Sequence, residues 1–330
     1  MDARGTRRLV RPQMLVVAAA LFGATPSAFG SLSFNAYFDA TIGGNAAMVN
    51  TINNTLGIYS GLFTNNVTVR IFFQNGGGVG SSNTTFYTSA FNGAGGVCNK
   101  LAASATSADD TAGVASTGSC AGNNPVNNTS NLDFSSANGR VLGFAAPGTL
   151  SAIDGLSINR TQLDSIITLN TSIMNITRPP GNVNFYDMQA VVLHEVDEVL
   201  GTVSGLNSLG FPTTADLFRY TAAPGVRSYT TAGNAFFSIN GSTDLVQYNN
   251  VPNCNQTAGD CGDWAVTGLR VQNWQGTAGT TPNLAEEIRL LDVVGYTLAQ
   301  GVPEPGTMAL IGLGLVALAG VRRRNSGARQ

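Results

Sequence analysis

Residues 191–201 read VVLHEVDEVLG. Around them Met188, Val192, Val196 and Val199, with Leu193 and Leu200, recur at helical spacing and cover most of a helix surface. That pattern predicts a central, largely buried helix. Asp187 stands where a carboxylate accepts the unpaired N–H groups of a first turn. Gly201 stands where a helix ends in left-handed backbone. Residues four apart lie one above the other on a helix. His194 and Glu198 therefore project from one face and can grip one metal ion. Glu195 and Asp197 stand beside them, and His194 is the only histidine of the chain. Three carboxylates on a buried helix are costly without a partner. A metal is one remedy; arginine partners and solvent exposure are others. By themselves the residues also fit a polar face with its Glu side chains in water and one hydrogen-bonded histidine.

Upstream of this helix, LSFNAYFDATI (32–42) reads as a strand, residues 45–63 as a helix and VTVRIFF (67–73) as a strand. NGGGVGSSN (75–83) reads as punctuation between elements. Residues 93–140 are poor in large apolar side chains. They are expected as a partly irregular insertion pinned by a disulfide, with one short helix near LAASATSADD (101–110). RVLGFAAP (140–147) is expected as a strand, and DSIITLNTSI (164–173) as an edge strand, with a helix as the alternative. Downstream come loops and short strands, then a helix and tail over LAEEIRLLDVVGYTL (284–298). There is no internal repeat.

The chain has 330 residues, 43% hydrophobic and only 11% charged, against about 25% charged in ordinary soluble domains. Its surface must be dressed with Asn, Thr, Ser and Gly. Lys100 is the only lysine and no basic patch stands out, which argues against nucleic acid as a partner. Arg4, Arg7, Arg8 and Arg11, the apolar run MLVVAAALF and the small residues of GATPSAFGS follow the order of a secretory signal, with cleavage after Ala28 or Gly30. Cys98, Cys120, Cys254 and Cys261 are an even number in a chain expected to be exported. Local pairing, Cys98 with Cys120 and Cys254 with Cys261, is favoured. A four-thiolate zinc site is the weaker alternative, because neither pair has C-x-x-C spacing.

At the C-terminus, Pro303, Glu304 and Pro305 precede an apolar run from Gly306 to Val321 and then Arg322, Arg323 and Arg324. The run is short for a hydrocarbon core of about 30 Å, and the arginines would remain cytoplasmic. The three parts, in that order, resemble the PEP-CTERM sorting signal. The resemblance implies a Gram-negative bacterium, transient residence in the inner membrane and processing by an exosortase-type protease. It places the protein at the cell surface or in an extracellular polysaccharide matrix.

H-E-x-x-E at 194–198 is similar to the H-E-x-x-H helix of zinc metallopeptidases, with Glu198 in the second histidine's place. Strand, helix, strand, edge strand and then YDMQAVVLHEVDEVLG (186–201), with Gly201 seven places after His194, resemble the zincin metallopeptidases. EEIRLLDVVGYTL (286–298) looks like the last helix of the matrixin type. With its C-terminal signal and DLFRY (216–220), the chain resembles predicted metalloproteases of PEP-CTERM bacteria. The likeness spans most of residues 31–300 and is diffuse outside the helix and DLFRYTAAPGVR (216–227).

The resemblance implies an α+β, zincin-like fold: a mixed twisted sheet packed on helices, with a central metal-site helix. It implies a metalloprotease domain over 31–300, between a signal peptide (1–30) and a sorting and anchoring transmembrane segment (301–330). It also implies zinc on His194 and Glu198, Glu195 as the base that takes a proton from water, and a protein or peptide substrate. There are departures. The position ten after His194 is Ser204, a poor ligand, and no methionine lies between Met188 and Met308. The third ligand must come from elsewhere. Asp216 is the first choice, in the segment that returns after the helix. Asp260 and Asp263 in GDCGDW are the alternatives, as loop carboxylates or a weak calcium site. One imidazole with two carboxylates is a hard, anionic set, which predicts slow hydrolysis or none. Two further readings stay open. One is a catalytically inactive zincin-like matrix protein. The other is an adhesin-like or carbohydrate-binding module using Trp264 and Trp274.

Overall fold

The computed structural model describes residues 30–299 apart from 119, 257, 258 and 267. The signal region and the sorting segment with its expected membrane span therefore lie outside the described residues. Among the described residues no helix is long and apolar enough to cross a membrane.

Strand β1 (Ser33–Phe38) runs through a single helical turn, α1 (Ala40–Gly43), into α2 (Ala46–Leu62). Strand β2 (Thr68–Asn75) returns parallel to β1, with Ser33 opposite Thr68 and Phe38 opposite Phe73. Strand β3 (Gly80–Thr84) follows, then β4 (Phe86–Ala90). Helices α3 (Val97–Ser104) and α4 (Ala108–Ser116) lead to β5 (Asn131–Ser135), which pairs antiparallel with β4, and to α5 (Ser136–Val141). A hairpin of β6 (Leu150–Ile153) and β7 (Asn159–Leu163) precedes β8 (Ser165–Leu169). The short pair β9 (Met174–Asn175) and β10 (Tyr186–Asp187) delivers the chain to α6 (Met188–Leu200). After α6 come β11 (Arg219–Tyr220), β12 (Phe236–Phe237), β13 (Val246–Gln247) and α7 (Glu286–Val293).

The main sheet has the order β1-β2-β8-β3, parallel except for β3. Buried Val69, Ile71, Phe73, Ile167 and Leu169 of its strands join Ile52, Leu56 and Tyr59 of α2 and Val192, Val196 and Val199 of α6 in one core. The Tyr59 hydroxyl donates to the Leu193 carbonyl at 2.8 Å, tying α2 to α6. The Tyr296 hydroxyl donates to Leu200 O at 2.9 Å, which satisfies one of the carbonyls that a helix C-terminus leaves unpaired.

Three expectations are corrected. β8 is an interior strand between β2 and β3, not an edge, because Ile166 and Ile167 pair on both sides. The edge is β3, cut from the Gly/Ser/Asn stretch that reads as punctuation. An edge strand half in solvent needs no apolar alternation, so the sequence pattern does not reveal it. Residues 140–147 form the end of α5 and a loop, not a strand. The stretch 93–140 holds α3, α4, β5 and most of α5. Val97, Leu101, Leu132 and Phe134 anchor it in the core, and Cys98–Cys120 ties the start of α3 to the loop after α4. The second disulfide is Cys254–Cys261, so both local pairings are present.

One ion pair, buried on its aspartate side, ties the sheet to α5. Arg140 grips Asp164 with two bonds, Nη1 to Oδ1 at 2.7 Å and Nη2 to Oδ2 at 2.8 Å. Asp164 also accepts from Ser136 Oγ and from Arg70 N. Removing one partner strands a charge and two other donors, which costs about 3–5 kcal/mol. Arg140 is about a quarter exposed and can partly rehydrate. Asp164→Ala is therefore expected near the lower end, read as the loss in unfolding free energy in urea.

Candidate metal centre

Helix α6 forms where the sequence places it. Asp187 caps it, accepting from Ala190 N at 3.2 Å. Gly201 ends it at φ 124°, a backbone that favours glycine. Its apolar residues turn to the core and leave one polar row facing two clefts. His194 is at the mouth, its side chain 18% exposed, while Glu195 and Glu198 are buried.

His194 Nε2 lies 3.6 Å from Glu198 Oε1 and 3.6 Å from Asp263 Oδ1. One ligand atom from each of the three residues falls within 4.8 Å of the others. Zinc bonds of about 2.0–2.1 Å in a tetrahedron separate neighbouring N and O ligands by about 3.4 Å, and the two separations from His194 Nε2 are close to that. Outer contacts hold them in place. His194 Nδ1–H donates to Val271 O at 3.0 Å, which turns Nε2 toward the carboxylates. Ser82 Oγ, on edge strand β3, donates to Glu198 Oε2 at 2.6 Å and leaves Oε1 facing His194. Gln272 Nε2 donates to Asp263 Oδ1 at 2.8 Å.

The electrostatics are those of a crowded acidic site around one imidazole. Burial works to lower the His194 pKa, but the charges of Asp263, Glu198 and Glu195 overturn it and hold the imidazole well above its ordinary value. Burial and the neighbouring Glu198 carboxylate push Glu195 well up. Burial acts against the Glu198 carboxylate too, yet His194, Asp260 and Ser82 bond to it and keep it below the ordinary range. Burial, with the charges of Glu198 and Asp263, pushes Asp260 up to about 9. It carries its proton at neutral pH and faces Glu198. Burial and Glu198 raise Asp263 to about 6, with His194 opposing. Asp197 turns away from this cluster into the core. Burial and Glu287 raise it well above its usual value, favouring the neutral acid.

Asp216, the first choice for third ligand, is elsewhere. It accepts from Ser204 Oγ at 2.6 Å, Gly205 N at 2.8 Å, Thr213 N at 2.8 Å and Thr213 Oγ1 at 3.1 Å. Those donors engage both carboxylate oxygens and tie down the loop after α6. Asp263, one of the alternatives, comes to His194 instead, beside the Cys254–Cys261 disulfide that fixes its loop. Sequence reasoning missed Ser82, Val271 and Gln272. The two aspartates flanking Cys261 were the one available signal, since a disulfide holds a short acidic loop in place.

A cleft of about 480 Å³ opens at His194 and Glu195, walled by Gly80, Val191, Tyr186 and Trp274. A second, of about 330 Å³, opens at Glu198 and Asp260, with Ser82, Asn83 and Phe86. Both are bordered by β3. A Cβ at Gly80 would fall 2.3 Å from Glu195 Oε1 and 2.7 Å from Val191 Cγ1. The strand can lie this close to the polar row of α6 only because residue 80 is a glycine.

Comparison with known proteins matches one family model, the PEP-CTERM protein-sorting motif, over residues 301–324. No curated protein and no solved structure matches. The motif marks an exported bacterial protein, processed by an exosortase and destined for the cell surface or the extracellular space. The fold between the two ends is mixed α and β with several sheets.

Proposed function

We propose that residues 31–300 are an extracellular, metal-dependent peptidase domain of zincin-like fold. Zinc is the first candidate ion and calcium the second. The carrying observation is the triad of ligand atoms from His194, Glu198 and Asp263, backed by a histidine whose other nitrogen is already bonded. A divalent ion held there supplies a Lewis acid that acidifies water and polarises a carbonyl. The chain's own residues do the rest. Glu195, beside the ligands and open to the larger cleft, takes the proton from water. Burial and Glu198 raise its pKa well above the ordinary value, and a raised pKa makes a carboxylate a stronger base. Asp260 and Ser82 donate to Glu198 and orient it. Peptide as the substrate class is supported by β3. It is the last strand of the sheet beside both clefts, and an unpaired strand edge accepts an extended chain through backbone hydrogen bonds.

Metal content tests this reading. The full chain, purified in detergent without chelators, is expected to carry about one divalent ion per molecule by mass spectrometry. Absence of bound metal on repeated preparation, with no uptake on titration, removes the proposal. Gly80→Ala gives a second check. The added methyl displaces Glu195 and leaves the ligands in place. Turnover is expected to fall about 10–100-fold through misplacement of the base, with unchanged metal content.

A second reading has one observation in its favour. Gln272 Nε2 stands 3.3 Å from His194 Nε2, so a buried amide crowds the nitrogen that would hold the ion. A chain that binds metal yet hydrolyses nothing would be an exported zincin-like surface or matrix protein.

A further inference from the structure

We propose that the side-chain amide of Gln272 is a fourth, reversible ligand of the ion held by His194, Glu198 and Asp263. This assignment rests on the metal reading above and adds to it a residue that closes and opens the site.

The backbone leaves Gln272 little choice of direction. Its N–H donates to Glu287 Oε1 at 3.1 Å, and its carbonyl accepts from Trp264 N at 2.7 Å. Glu287 is itself held by the Trp264 indole N–H at 2.9 Å and by Ala285 N at 2.7 Å. The preceding residue, Val271, supplies the carbonyl that fixes His194. One short segment therefore sets the orientation of the imidazole and delivers the amide beside it. The Gln272 side chain is fully buried.

The end of that side chain stands beside two of the three ligand atoms. Nε2 is 3.3 Å from His194 Nε2, near the ligand spacing of about 3.4 Å in a tetrahedral site, and hydrogen-bonds Asp263 Oδ1 at 2.8 Å. The other amide atom, Oε1, is buried without a hydrogen-bond partner, an arrangement that is normally avoided because its desolvation is uncompensated. A half-turn about the last side-chain bond exchanges the two atoms. Without a cation, an N–H of the amide faces the Asp263 carboxylate, and attraction keeps it there. With a divalent cation among the ligands, the N–H dipole is repelled and the carbonyl oxygen, a hard neutral donor, is drawn in. The exchange gives the unpartnered oxygen a partner.

With Gln272 in place the ion has four protein ligands, the pattern of a structural site. With Gln272 displaced, one position is open, the pattern of a catalytic one. The amide is thus a gate on the same centre.

The test is cobalt(II) titration of the chelator-stripped full chain in detergent, read by visible absorption and by competition with a chelator. Gln272→Leu is expected to weaken cobalt binding at least about tenfold, the scale of losing a supporting or direct partner, and to shift the ligand-field bands. Gln272→Glu keeps an oxygen at the same place and is expected to bind at least as tightly as the wild type. A residue that merely donates a hydrogen bond to Asp263 predicts the opposite sign, because a carboxylate beside Asp263 would weaken the site. Loss of affinity in Gln272→Glu equal to that in Gln272→Leu overturns the ligand assignment. So do unchanged affinity and spectrum in both variants. No cobalt uptake by the wild-type chain overturns the metal reading and this proposal with it, whereas uptake with unaffected variants overturns the Gln272 assignment alone.

Discussion

Asp263→Ala is expected to abolish metal binding, while Asp216→Ala leaves the metal in place and costs stability. The sequence puts Asp216 first and Asp263 among the alternatives, and their contacts reverse that order. Asp263 Oδ1 faces His194 Nε2 at 3.6 Å, and removing it deletes one of three charged or imidazole ligands. Outer-sphere partners of metal ligands typically account for about 10–100-fold in affinity. A direct ligand should exceed that, so His194→Ala, Glu198→Ala and Asp263→Ala are each expected to lose more than about 100-fold. Asp216 instead accepts from Ser204, Gly205 and Thr213. Alanine there leaves three buried donors unpaired at about 1–3 kcal/mol each, several kcal/mol in all. Metal analysis and urea unfolding on the same four variants check both halves. Metal loss in Asp216→Ala with Asp263→Ala unaffected would reverse the assignment.

Glu195→Gln is expected to lower peptide hydrolysis about 10²–10⁴-fold, the usual contribution of a positioned general base, with metal content unchanged. The substitution keeps the size of the side chain and its place against Gly80, and it removes the proton acceptor. It also removes one of the like charges crowding Glu198, so the folded protein should be no less stable. The readout is cleavage of an unstructured protein, followed by mass spectrometry, for wild type and variant side by side. Full activity in Glu195→Gln would exclude Glu195 as the base. A metal-loaded wild type without activity would favour the surface-protein reading, and Gln272→Leu is then the variant in which to look for hydrolysis.

The elements that local pattern specifies were legible in the sequence. Helix α6, with Asp187 at one end and Gly201 at the other, follows from a 3.6-residue apolar period and two capping residues. β1, α2 and β2 follow from period and β-branched content. Both disulfides join cysteines near in sequence, and the sorting motif is a contiguous string. The pairing of His194 with Glu198 is of the same kind, since a four-residue spacing on a helix fixes which side chains share a face. What the sequence could not supply was the register between distant segments. β3 lacks apolar alternation because it lies at the sheet edge, and Gly80 reads as a turn residue although it is there to admit Glu195. Asp263, Val271 and Gln272 reach His194 only because the chain after β13 folds back across the cleft, anchored by Cys254–Cys261, Trp264 and Glu287. Local geometry repeats with the helical turn and can be counted along the chain. Which loop carboxylate lies beside His194 depends on how distant segments pack, and only the tertiary structure brings Asp263 there and leaves Asp216 elsewhere.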